Sequence, residues 1–345
     1  MLQRLIGGRR TPGAKRSGTI LAKHYGMTRF RNLFWLLPFS LTSATTMCAP
    51  LSPDIVSDGS LVPGYTSAQH VRLGDWTRDY LLHVPRQPRF NLMGRRRRFP
   101  LLIVLHGSGA RGETIRNQSG MDSVAESRHF LAAYPDGSGE MFGLSTDWNA
   151  GQCCGGPHFD HVDDIAFLRA VIADVSARLP VDPRRIYVAG FSDGARMAYR
   201  VACDMAGEIT AIAAVSGSLV DNRCHPTRAV PVVAFHGSAD TEVPFDDSAF
   251  TAPSRPVPRD AASLPATVRF WLATDGCQKT MVGRVSPHVT RTSGVGCSAD
   301  VAFYAIQGAG HSWPVIAPAK GDGDGEPDEI SASLVIADFF LRHRR

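Results

Sequence analysis

The stretch Ile186-Tyr187-Val188-Ala189-Gly190-Phe191-Ser192-Asp193-Gly194 runs from an apolar, β-type segment into a Gly-x-Ser-x-Gly turn, and the amphipathic segment Ala195 to Met205 follows it. The five-residue pattern alone recurs by chance. Between a strand and a helix it describes a sharp elbow that holds a serine hydroxyl out where a base can reach it. A hydroxyl is a weak nucleophile until a base takes its proton. Small residues at 190 and 194 let neighbouring backbone pass close by, and the helix start offers N–H groups to a developing negative charge.

A serine so placed calls for an acid and a histidine later in the chain, in the order Ser, Asp/Glu, His. Asp240 lies just past the apolar run Val232 to Phe235, in His236-Gly237-Ser238-Ala239-Asp240. Glu242, Asp246 and Asp247 stand close enough to substitute for it. His311 follows Val301 to Ile306 in Gly308-Ala309-Gly310-His311-Ser312-Trp313-Pro314 and is the best placed base of the twelve histidines. His236 competes with it but is read as a brace for the acid's loop. The oxyanion of an acyl-transfer intermediate needs two N–H donors, one from Asp193 and one from Leu105-His106-Gly107-Ser108-Gly109. Ser108 is the favoured second donor, with Gly107 as the fallback. Trp148 and Trp313 are candidates for lining an acyl pocket.

Around this core the chain alternates apolar runs with amphipathic stretches, the pattern of an α/β fold with a mostly parallel central sheet flanked by helices. Strands are expected at Val71 to Leu73 and Tyr80 to Val84 (an antiparallel pair), then at Leu101 to Leu105, Phe130 to Tyr134, Arg185 to Ala189, Ile209 to Val215, Val230 to Phe235 and Val301 to Ile306. Helices are expected at His161 to Leu179, Asp193 to Met205, Ala261 to Thr274 and Glu329 to Leu341. Open α/β sheets place their chemistry at the C-terminal ends of the strands, where these turns fall.

The 345 residues carry 37 Lys+Arg and 32 Asp+Glu, a net +5, and 43% hydrophobic residues, which excludes a disordered or multi-span membrane chain. Eight of those basic residues lie in residues 1–53, which hold no acid; the remainder has 29 basic against 32 acidic residues, a net −3. The charge therefore argues for no nucleic-acid partner. Met27-Thr28-Arg29-Phe30-Arg31-Asn32, the apolar run Leu33 to Leu41 and the small residues that follow read as a secretory signal peptide starting at Met27. The run is too short to span a bilayer. Residues 1–53 are thus read as extension and leader, and 54–345, about 290 residues, as one catalytic domain. Cys48 invites a lipid anchor, but Thr45-Thr46-Met47 before it is a poor acylation motif. The other six cysteines, Cys153, Cys154, Cys203, Cys224, Cys277 and Cys297, form an even set suited to disulfides in an exported protein. None has zinc-ribbon spacing.

Three other motifs read blandly. Arg95 to Arg98 is a solvated loop. Gly321 to Glu329 has Pro327 where a calcium loop needs its glycine, so it is an acidic loop before a helix. His158-Phe159-Asp160-His161-Val162-Asp163-Asp164 lacks binuclear metal spacing and opens a helix, where acids cap.

The ordered set LHGSG, Trp148 to Gly156 with its CCGG, Val162 to Leu168, VDPRRIYVAGFSDGARMAYRVAC, HGSADTEVPF and GAGHSWP resembles the secreted polyhydroxybutyrate depolymerase-like esterases. That family takes in feruloyl and acetylxylan esterases of the carbohydrate esterase 1 type, and the resemblance covers about Gly64 to the C-terminus. It implies an α/β-hydrolase fold, with Ser192 as nucleophile, Asp240 as acid, His311 as base and no cofactor. It also implies that Cys277 pairs with Cys297; the partners of Cys153, Cys154, Cys203 and Cys224 stay open. The sequence departs from many relatives at Asp193, where Asn is common, and at Ala195, where a second glycine is common. An acid beside the nucleophile would slow reaction with anionic substrates.

The expectation is a secreted serine esterase acting through an acyl-enzyme on hydroxyalkanoate oligomers or on feruloyl or acetyl esters, with a small-molecule or oligomeric ester as its partner and no stable membrane span. The alternatives are an acyltransferase or serine peptidase on the same fold, or a non-catalytic surface protein. The short stretch after His311 leaves room for one helix, which favours soluble or oligomeric esters over crystalline polymer.

Overall fold

Every residue of Phe99–Leu105 is buried, as a strand covered on both faces must be. Along it the side chains alternate: Leu101, Ile103 and Leu105 enter one apolar cluster, Leu102 and Val104 the other. That period of two sets a sheet between two layers of helices. The computed structural model describes residues 55–56, 59–86, 98–139, 146–247, 256–316 and 329–345, all within a compact unit spanning Pro50–Arg345. The leader, Met27, Cys48, Arg95 to Arg97 and nearly all of the 321–329 loop lie outside the described residues.

In chain order the elements are β1 (Ile55–Val56), β2 (Tyr65–Leu73), β3 (Trp76–Val84), β4 (Phe99–Leu105), α1 (Gly112–Ser119), α2 (Met121–Arg128) and β5 (Leu131–Pro135). Then come β6 (Ser138–Gly139), β7 (Thr146–Asp147), α3 (Gly155–Phe159), α4 (Asp164–Arg178), β8 (Val181–Phe191), α5 (Asp193–Asp204), β9 (Ala211–Val215) and β10 (Val232–Gly237). The chain closes with a 3-10 turn (Arg259–Ala261), α6 (Ala266–Thr274), β11 (Lys279–Arg284), β12 (Val289–Val295), β13 (Val301–Ile306) and α7 (Ala332–Leu341).

Eleven strands form one sheet in the order β1-β2-β3-β5-β4-β8-β9-β10-β13-β12-β11. The run from β5 through β13 is parallel, while β2, β3, β11 and β12 pair antiparallel at the flanks. Apolar residues of α4, α5 and α6 pack on one face and those of α1, α2 and α7 on the other. The expected early hairpin is present but longer at its start, and it pairs over all nine residues of β2. The expected helix at 161 begins at Asp164, because Asp163 accepts the Ala166 N–H at 2.9 Å and caps it. Sequence patterning misses α1 and α2, whose surfaces are largely polar; the strand-loop-strand that the resemblance implies between Cys277 and Cys297 is present as the hairpin β11–β12, which apolar patterning alone does not reveal. Strand β11 is the sheet edge, exposed along most of its length, so it has no buried face to impose alternation.

Candidate active site

Ser192 sits between β8 and α5 with φ 54° and ψ −118°, a left-handed setting that disfavours any side chain and recurs at functional sites. The elbow is held from both sides. Ser192 N–H donates to Val215 O at 2.9 Å, and Ser192 O accepts from Ala195 N–H at 2.9 Å and Arg196 N–H at 3.1 Å. Gly194 lies against the end of β4, where a Cβ would come within 2.5 Å of the His106 carbonyl oxygen. A Cβ on Gly107 would lie 3.1 Å from Cβ of Ser192. The backbone of His106 and Gly107 thus passes directly against the Ser192 elbow. Gly109 N–H is spent on Thr146 O and Ala110 N–H on Gly107 O. Gly107 faces Ser192, and Ser108, which is exposed, follows it, so both stay in contention as the second donor.

The acid and histidine come together from two adjacent parallel strands. Asp240 follows β10 and His311 follows β13, and their loops are joined by Ser238 N–H to Ile306 O at 2.9 Å and Ala239 N–H to Ala309 O at 2.9 Å. His311 Nδ1 meets Asp240 Oδ2 at 2.9 Å. Asp240 Oδ1 accepts the N–H groups of Glu242 (3.0 Å) and Val243 (2.9 Å). Burial works against the Asp240 charge, but the His311 hydrogen bond and these amides hold its carboxyl below the usual range. With Nδ1–H given to a carboxylate, the imidazole keeps its lone pair on Nε2. The His311 ring lies 4.9 Å, centroid to centroid, from Phe191, the residue before Ser192.

The other acids divide by contact. Asp247 accepts Ala266 N–H at 2.7 Å and Thr267 N–H at 2.9 Å, capping α6. Glu242, largely exposed, places its carboxylate 3.6 Å from His311 Nε2. His236 is buried, which lowers its pKa, and its Nε2 meets Val243 O at 2.8 Å; it steadies the acid's loop.

Two pocket candidates are corrected. Trp148 is 0% exposed with Nε1–H donating to His106 O at 2.9 Å, and Trp313 is 2% exposed with Nε1–H donating to Ser333 Oγ at 2.9 Å. Both rings are core, each with its one polar atom satisfied, and neither offers open surface to a substrate.

Among the described residues three disulfides form: Cys277 with Cys297, Cys203 with Cys224, and Cys153 with its neighbour Cys154. Among the described residues one cluster has three side chains of metal-ligating type within reach of one another, Cys153, Cys154 and Asp193, and both of its sulfurs are bonded to each other. It therefore lacks the thiolates a metal would need. Sequence reasoning also missed Arg196, whose Nη1 donates to Asp193 Oδ1 at 2.7 Å. The i, i+3 spacing of Asp193 and Arg196 on one helix was the available signal. Asp193 is buried, which raises its carboxyl pKa against the pull of Arg196.

Residues 163–254 match the phospholipase/carboxylesterase family model. The chain is 29% identical over 292 residues to "Putative esterase NocK" of Nocardia uniformis, covering 77% of this chain and 81% of that one. It is 26% identical to "Probable feruloyl esterase C" of Aspergillus clavatus, covering 81% and 93%. The chain is an α/β-hydrolase similar to the feruloyl esterases. Its fold matches that of an acetyl xylan esterase from Aspergillus awamori with a TM-score of 0.50 at 15% identity, over 72% of this chain and 95% of that one. The chain is a carboxylic ester hydrolase, and Ser192, Asp240 and His311 follow β8, β10 and β13 of its parallel sheet, with β9 between β8 and β10. Among the described residues no helix is long and apolar enough to cross a membrane.

Proposed function

We propose that this esterase hydrolyses esters through an acyl-enzyme on Ser192, with His311 as general base and then general acid and Asp240 holding the imidazole in its Nδ1–H tautomer. The observation that carries this reading is the 2.9 Å contact of His311 Nδ1 with Asp240, together with the packing of that ring on Phe191 beside the strained serine. His311 Nε2 takes the Ser192 proton as Oγ attacks the ester carbon, and the carbonyl oxygen gains the negative charge. The Asp193 N–H and the N–H of Ser108 or Gly107 receive that charge. Collapse expels the alcohol, which takes the proton from His311, and water repeats the sequence on the acyl-enzyme.

The acyl group is of the hydroxycinnamoyl or acetyl kind, in keeping with the named relatives; hydroxyalkanoate oligomers are the second substrate class. The protein is exported and its leader removed, a reading supported by the acid-free N-terminal stretch and the three disulfides. The test is hydrolysis of p-nitrophenyl acetate, methyl ferulate, acetylated xylan and hydroxybutyrate oligomers by wild type and Ser192→Ala. Wild type should cleave at least one and the variant none; equal cleavage by both refutes the role of Ser192. N-terminal sequencing of the exported protein should find neither residue 1 nor residue 27 at its start.

A further inference from the structure

The turn from Trp148 to Cys154 touches both backbone arms that face the carbonyl oxygen in the mechanism above. On one side, Trp148 Nε1–H donates to the carbonyl of His106 at 2.9 Å, and the two rings pack with centroids 5.0 Å apart. His106 is buried, its pKa pushed down to about 4 chiefly by that burial, so its ring stays neutral while Gly137 N–H donates to Nε2 at 2.8 Å. This is the residue immediately before Gly107. On the other side, the sulfurs of Cys153 and Cys154 lie within 4.8 Å of the Asp193 carboxylate, and Arg196 Nη1 joins that carboxylate (2.7 Å) to Cys154 Sγ (3.6 Å).

The turn is braced as a unit. Ala150 N–H donates to Cys153 O at 2.7 Å and Cys154 N–H to Trp148 O at 3.2 Å. Asn149 N–H donates to Asp164 Oδ2 at 2.8 Å, and Arg200, one turn beyond Arg196 on α5, donates to Asn149 O. Bonding of adjacent cysteines removes the rotational freedom of both side chains, so the sulfur pair presents a fixed surface to Asp193 and Arg196.

We propose that the Cys153–Cys154 turn is a positioning element that sets the distance between the two oxyanion arms, the Asp193 amide and the 106–108 loop. This rests on the acyl-enzyme reading above. The turn touches no reacting atom; it acts through Arg196–Asp193 on one arm and through Trp148–His106 on the other. Such an element changes the transition state more than the ground state, since the donors must meet the oxygen only once it carries charge.

The experiment measures kcat, KM, melting temperature and the affinity of phenylboronic acid, which forms a tetrahedral adduct on an active serine, for the wild type, Cys153→Ala/Cys154→Ala, Arg196→Ala and Trp148→Phe. The expected result is a fall in kcat of about 10- to 100-fold with KM within about threefold, and a parallel loss of boronate affinity. A Cys277→Ala/Cys297→Ala variant, which loses the disulfide flanking the β11–β12 hairpin, should keep kcat at a temperature where it is folded. If the cysteine variant fails to fold, Arg196→Ala and Trp148→Phe, which retain the disulfide, carry the decision. Unchanged kcat and boronate affinity in the folded variants of an active enzyme overturn the proposal; a wild type that cleaves no ester overturns the acyl-enzyme reading instead.

Discussion

Asp240 and Glu242 address opposite nitrogens of one imidazole: Asp240 Oδ2 stands 2.9 Å from His311 Nδ1, and Glu242 Oε2 stands 3.6 Å from Nε2. Only the first carboxylate is buried and anchored by two backbone amides; the second side chain is 71% exposed. Asp240→Asn should therefore lower kcat by about 10³- to 10⁴-fold by favouring the wrong tautomer, and Glu242→Gln should change it less than about threefold. Steady-state kinetics on a p-nitrophenyl ester decides it, and a larger loss from Glu242→Gln would transfer the orienting role.

The positive φ of Ser192 sets activity against stability at one position. A glycine there relieves the strain that any side chain carries, so Ser192→Gly should be more stable than Ser192→Ala by about 1 kcal/mol while both are inactive. Urea unfolding of the two variants measures the difference, and an alanine variant of equal stability would mean the elbow is unstrained.

Gly194 packs on the His106 carbonyl without room for a methyl group. Gly194→Ala should push the 106–109 loop away from Ser192 and lower kcat by about tenfold or more. Circular dichroism should still report a folded protein; full activity in this variant would show that the loop spacing does not govern the reaction.

Asp275 is fully buried, with Oδ1 accepting Val230 N–H at 3.3 Å and no partner for Oδ2. Burial pushes its carboxyl up to about 7, against the Val230 hydrogen bond and the charge of Arg228. The folded value lies above the unfolded one near ~4, so the folded state holds the extra proton. Its stabilisation is complete below about pH 4 and is lost as pH rises to about 7, at up to ~1.4 kcal/mol per pH unit. Asp275→Asn removes that ionisation. Its melting temperature should fall less than that of the wild type between pH 5 and 8, and identical slopes would place the ionising group elsewhere.

Cys203 and Cys224 are both buried and close a loop 21 residues apart. Replacing both with alanine should cost about 3 kcal/mol, mainly by releasing the unfolded chain. Calorimetry of the double variant at neutral pH provides the check; an unchanged transition would show that this bridge adds nothing.

The parallel core was legible in the sequence because its strands are buried on both faces and read as unbroken apolar runs: Val301–Ile306 coincides with β13, and Phe99–Leu105 extends the expected strand by two residues. The edge hairpin β11–β12 was legible only through the resemblance, which implies a strand-loop-strand between Cys277 and Cys297, and not through patterning, since an exposed strand has no core face to impose a pattern. For the site, the elbow pattern and the order Ser, Asp, His single out Ser192, Asp240 and His311 by local context.

What required the tertiary structure is everything that depends on which loops meet. The spacing of Trp148 along the chain says nothing of its burial, and the ring proposed for a pocket is core because its N–H finds the His106 carbonyl 42 residues away. The approach of Cys153 and Cys154 to Asp193 and the reach of Arg196 between them follow from how α5 packs beside the 148–154 turn. A one-dimensional pattern records local propensity and burial; it holds no distance between segments that only the packed sheet brings together.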